Sequence, residues 1–146
     1  MRHVSSLVQS ALPWLSPRAH SLVEALFVGD GSVGKATDVA RQLGLASRFA
    51  LARFLRKERL PPLHRLSGYA CVLHWMWQWE QDGVPLSRSA LQAGKEPAAA
   101  YRLVRQVTGR TWTAACQGGF GLLLVQFLQE CDGPEHRVEG TTVAGA

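Results

Sequence analysis

Three groups of residues in this 146-residue chain have the types and spacing to do chemistry. The first is FVGDGSVGKAT, from Phe27 to Thr37, which sets Gly29, Gly34 and Lys35 at the spacing of a phosphate-binding loop. Such a loop needs a buried strand before it and a hydroxyl directly after the lysine to hold magnesium. Ala36 occupies that place, the preceding LVEAL reads as the end of a helix, and no Asp-x-x-Gly or Asn-Lys-x-Asp sequence follows. Nucleotide binding is therefore not expected. The second group is His64, Cys71 and His74, which lack a fourth ligand nearby, so no metal or cofactor is expected. No Ser/His/Asp or Cys/His set can be placed, and Glu24, Glu58, Glu80 and Glu130 read as solvated helix residues, so the chain is not expected to be an enzyme. The third group is cationic. Arg48, Arg53, Arg56, Lys57 and Arg59 form one run, and Lys95, Arg102, Arg105 and Arg110 another. Their chemistry is the capture of phosphate oxygens.

Helices must position these cations. Helical punctuation recurs along the chain, and no sustained period-2 alternation rich in β-branched residues interrupts it, which predicts an all-α fold. Ser16-Pro17 supplies an N-cap and first-turn proline for a helix carrying Leu22, Val23, Leu26 and Phe27, ended by Gly29. After a flexible loop, Thr37 caps a short helix with Val39, Ala40 and Leu43 inward, and Gly44 stops it. Ser47 caps the next helix, which carries Leu51, Phe54 and Leu55. Pro61-Pro62 then starts a long helix with Leu63, Leu66, Ala70, Leu73 and Trp77 on its inner stripe, up to Asp82-Gly83. The short-then-long pattern returns: Ser87 caps, Ala90 and Leu91 face inward, Gly94 stops, and Pro97 starts a helix with Ala100, Leu103, Val104 and Val107. The Gly118-Gly119 pair precedes an apolar helix from Phe120 to Glu130, and the polar residues 132–146 read as a disordered tail.

The strongest signal is this internal repeat. ATDVARQLGLASRFALARFLRKERLPPL and SRSALQAGKEPAAAYRLVRQVTGRTW each hold a short helix, an alanine four residues before a glycine, a turn and a longer basic helix. That is the pattern of a helix-turn-helix, in which Ala40 and Ala90 let the second helix cross closely and Gly44 and Gly94 bend the turn. Arg48, Arg56, Lys57, Arg59, Lys95, Arg105 and Arg110 would then meet phosphates. From about Pro17 to Trp112 the sequence resembles the DNA-binding domain of AraC/XylS-type transcription regulators, through LARFLRKERLPPL and YRLVRQVTGRTW. The resemblance implies two helix-turn-helix subdomains joined by a long linker helix, reading successive major grooves of duplex DNA. It places Phe49, Ala52 and Arg53 of the first unit, and Ala98, Ala99 and Arg102 of the second, where base edges are reached. Leu60 stands where that pattern commonly has a glycine, and Lys95 where it has an aromatic residue. The expected division is an N-terminal helix and loop (1–35), a first unit (36–61), a linker helix (62–84), a second unit (85–112), a C-terminal helix (113–131) and the tail (132–146).

Charge agrees with an anionic partner. The net charge is +5, and residues 36–110 carry a balance of +7. Cys71, Cys116 and Cys131 are odd in number and form no CxxC pair, as in a reduced cytoplasmic protein, and no apolar run has the length of a signal peptide or membrane span. A chain this short leaves no room for a separate sensing or dimerising domain, so it is expected to act as a monomer, or to take its signal from a partner such as RNA polymerase or another regulatory protein. The rival reading is a protein-interaction module on a degenerate helix-turn-helix scaffold, docking a transcription partner through Trp75 and Trp79, which lie four apart off the inner stripe.

Overall fold

The computed structural model describes the backbone of residues 2–29 and 33–145 and the side chains of residues 3–29 and 33–131. Asp30 to Ser32, in the middle of the phosphate-loop imitation and the loop expected to be flexible, lie outside the described residues. So does Ala146. All regular structure among the described residues is helical. The helices are α1 (Arg2–Ala11), α2 (Pro17–Val28), α3 (Ala36–Gln42), α4 (Arg48–Lys57), α5 (Leu63–Asp82), α6 (Leu86–Gln92), α7 (Pro97–Thr108) and α8 (Trp112–Gly145).

Helix starts follow local chemistry. The Ser16 hydroxyl accepts from the Ala19 N–H at 3.2 Å ahead of Pro17, and the Ser47 hydroxyl accepts from the Ala50 N–H at 3.1 Å, so each answers a donor that its helix leaves unpaired. Thr37 and Ser87 do not cap. α3 starts after Lys35 and α6 after Pro85, each two residues earlier than the hydroxyls suggested. Val4 and Val8 of α1, and Leu12 just past it, recur one turn apart and are fully buried.

α5 is the centre of the molecule. α1, α2, α7 and α8 pack around it, and Tyr69, Ala70, Cys71, Val72, Leu73, Trp75 and Met76 are all buried. A helix that is apolar all round must be enclosed. This corrects the expected partner surface: Trp75 is 1% exposed and belongs to the core, whereas Trp79 is 40% exposed. The aromatic rings of Phe27, Tyr69 and Phe127 meet at centroid distances of 5.7 and 5.1 Å, tying α2, α5 and α8 together. Trp77 lies between His3 of α1 and Phe120 of α8. At Gly68 α7 approaches α5 closely, since a Cβ there would lie 2.8 Å from Val107 Cγ2.

α8 is longer than expected at both ends and covers the segment read as a tail, its backbone being helical to Gly145. The glycine pair lies inside it. Gly119 has φ 78, and the Phe120 N–H that this bend frees donates to Glu80 Oε1 at 2.8 Å. No helix among the described residues is long and apolar enough to cross a membrane.

Candidate nucleic-acid interface

The sequence repeat is also a repeat of backbone geometry. After α3, Gly44 takes φ 73, its N–H donates to the Arg41 carbonyl at 3.0 Å, and the Leu45 N–H donates to the Ala40 carbonyl at 2.8 Å. After α6, Gly94 takes φ 73, its N–H donates to the Leu91 carbonyl at 3.0 Å, and the Lys95 N–H donates to the Ala90 carbonyl at 2.8 Å. Both turns are the left-handed cap in which two late carbonyls are satisfied by the residues beyond the helix. Ala40 and Ala90, 1% and 0% exposed, sit under the following helices. The linking segments differ, Leu43 to Ser47 in the first pair and Ala93 to Glu96 in the second.

In the first pair, Leu51 and Leu55 turn α4 onto the core. Arg48, Phe49, Ala52, Arg53, Arg56 and Lys57 are left on one exposed face, at the spacing i, i+1, i+4, i+5, i+8 and i+9. Arg59, just past the helix, is exposed as well. No ion pair among the described residues neutralises any of these cations. The Arg48 guanidinium lies over the Phe49 ring, 5.0 Å from its centroid, and Phe49 is 62% exposed. The left-handed residue of the following turn is Arg59, φ 61, rather than Leu60, which is buried.

The second pair differs in composition. Ala98, Tyr101, Arg102, Arg105 and Gln106 form the exposed face of α7, with Ala99 half-buried at its edge and Lys95 exposed in the turn. Leu91, expected to face inward, is 66% exposed because Leu86, Ser89 and Ala90 already fill the buried side of the two-turn helix α6. Arg110 stands apart from the other cations. Its guanidinium donates to Gln126 Oε1 at 3.2 Å, the Gln126 amide donates to the Thr108 carbonyl, and Arg110 is half-buried against α8.

Two groups that hold these helices were not evident from spacing. Arg65 donates to the Gln106 and Val107 carbonyls at 2.9 and 3.3 Å, satisfying the last turn of α7, and is ion-paired with Glu130 of α8. The Tyr69 hydroxyl donates to the same carboxylate at 2.9 Å. Burial, then the adjacent carboxylate, hold the Tyr69 phenol well above its ordinary value, and the hydrogen bond to Glu130 raises Arg65. Glu130 is thus a half-buried structural acceptor rather than the solvated residue expected, and Glu80, though exposed, accepts from the Phe120 N–H. The only available sign was that Arg65 and Tyr69 lie one turn apart on a central helix. The second group is Trp14 and Ser16, which meet Glu58 at the end of α4. Compared with known proteins, the chain matches no family model, no curated protein and no solved structure.

Proposed function

We propose that this chain binds duplex DNA as a transcription regulator of the AraC/XylS type, laying α4 and α7 in successive major grooves with α5 as the spacer. The observation that supports this reading best is the exposed face of α4, where four cations share one side of a helix with no acid among them. A polyanion is the partner such a face fits, because each neutralised phosphate releases counterions. Phe49, Ala52 and Arg53 are central on that face, so Arg53 is assigned to a guanine edge and Phe49 and Ala52 to thymine methyls. Arg48, Arg56, Lys57 and Arg59 flank them as phosphate contacts. In the second unit Arg102 is the base-reading residue, beside Ala98 and Ala99, with Lys95 and Arg105 on phosphates. Arg110 contributes to the support of α7 instead. One chain carries both units, so it works as a cytoplasmic monomer without a cofactor or catalytic step.

The protein-interaction reading keeps one specific observation in its favour: Leu91, Tyr101 and Trp79 are large apolar side chains left 66%, 47% and 40% exposed. Selection from a random DNA pool, followed by affinity measurements over a salt series, separates the two. The DNA reading expects the logarithm of the binding constant to fall linearly with the logarithm of salt, by roughly 0.9 for each phosphate contacted. It also expects Arg53→Ala to cost about 1 to 3 kcal/mol and to relax preference at one base pair. Absence of duplex binding at low salt would sink it.

A further inference from the structure

The two helix pairs are attached to the body by different means. α7 is held by the core, through Arg65, Gly68 and the ion pair with Glu130. α4 packs chiefly on its own partner α3, and its C-terminal end is gripped by the segment between α1 and α2. There the Trp14 indole N–H donates to the Glu58 carbonyl at 2.9 Å, and the Ser16 backbone N–H donates to Glu58 Oε2 at 3.2 Å. Glu58 is the C-cap of α4, so its carbonyl is one that the helix leaves unpaired. Ser16 also caps α2 through its hydroxyl. The joint therefore connects the start of one helix to the end of another, across 42 and 44 residues of chain.

Glu58 is the only acid between Arg48 and Arg59. On a face that binds a polyanion, an acid at this position is a repulsive charge. Here its carboxylate is turned onto a backbone N–H away from that face. Arg59, the next residue, takes φ 61, which a non-glycine residue rarely adopts unless its surroundings hold it there.

We propose that Trp14, Ser16 and Glu58 form a positioning clasp that fixes the direction of α4 relative to the body and keeps the Glu58 charge off the cationic face, a role whose effect on affinity rests on the DNA-binding reading above. The variants are Glu58→Ala, Glu58→Gln and Trp14→Phe in the full chain, each measured twice: by amide hydrogen exchange and by affinity for a duplex recovered from a random-sequence pool. Electrostatics alone says that both Glu58 variants, being one charge more positive, bind the duplex more tightly. The clasp gives the opposite sign for one of them. Glu58→Ala should speed exchange in α3, α4 and at Ser16 by about tenfold, leave α5 to α8 unchanged, and weaken duplex binding about fivefold or more. Glu58→Gln keeps an oxygen for the Ser16 N–H, so it should retain protection and bind at least as tightly as the wild type. Trp14→Phe, which keeps a ring but lacks the donor, should follow Glu58→Ala. Wild-type exchange in α4 of Glu58→Ala, or equal tightening by both Glu58 variants, overturns the clasp. A wild-type chain that binds no duplex defeats the DNA reading instead, and the exchange result alone then decides the clasp.

Discussion

Arginines among the described residues meet different fates, set by what each side chain can reach. Arg53 and Arg56 stand in solvent on α4, Arg110 is engaged by Gln126, and Arg65 binds two carbonyls and Glu130 at once. Residue type alone does not separate these cases, because partners 16 to 65 residues away decide them. The Arg65 cluster has a consequence at high pH. Tyr69 titrates above the ordinary tyrosine value of 10.0 in the folded chain, so the folded state holds the phenol proton more firmly than the unfolded state does. The stability this gives is fully present below about pH 10 and is lost as pH climbs through the folded value. Urea unfolding of the wild type and Tyr69→Phe should therefore show a gap at pH 8 that narrows above pH 10. A gap independent of pH would mean that the hydroxyl contributes nothing through its proton.

Among the elements, those whose ends are set by local chemistry were the ones legible in the sequence. Ser16-Pro17, Ser47 and Pro97 start helices where their side chains and rings dictate, and Gly44, Gly94 and Gly109 take the left-handed conformation that ends them. What was not legible depended on neighbours. α1 has only Val4 and Val8, with Leu12 just past its end, as signal, amid serines of modest helix propensity. Spacing puts Trp75 on a second face because a stripe argument supposes one buried side, whereas Trp75 is buried together with Val72, Leu73 and Met76 at that level of α5. The Gly118-Gly119 pair marks the bend in the sequence but not the continuation of α8 through it. That bend is specific. Gly119→Ala would have to hold φ 78 with a Cβ 2.7 Å from Glu80 Oε1, so it should lose the Glu80 contact and destabilise by about 1 to 3 kcal/mol. The same change at Gly121, where a Cβ meets nothing within 4 Å, should be neutral or slightly stabilising in thermal melts. Equal melting temperatures for the two variants would show that the bend is not required.

At the scale of the whole molecule, a core centred on α5 carries one helix pair built into it and a second pair joined at its margin. The all-α architecture was legible from period and punctuation. The unequal attachment was not, because it rests on Arg65 and Glu58 finding partners across the fold. The acid-free face of α4 also acts before any contact forms. Its field extends about 10 Å into 0.1 M salt, roughly one Debye length, and turns the molecule toward a polyanion during diffusion. Stopped-flow mixing with a duplex should accordingly show an association rate that drops by an order of magnitude or more between about 50 and 300 mM salt, with a much smaller change in the rate of departure. An association rate indifferent to salt would mean that α4 meets its partner by chance orientation, and that the grouping of its cations on one side has no kinetic effect.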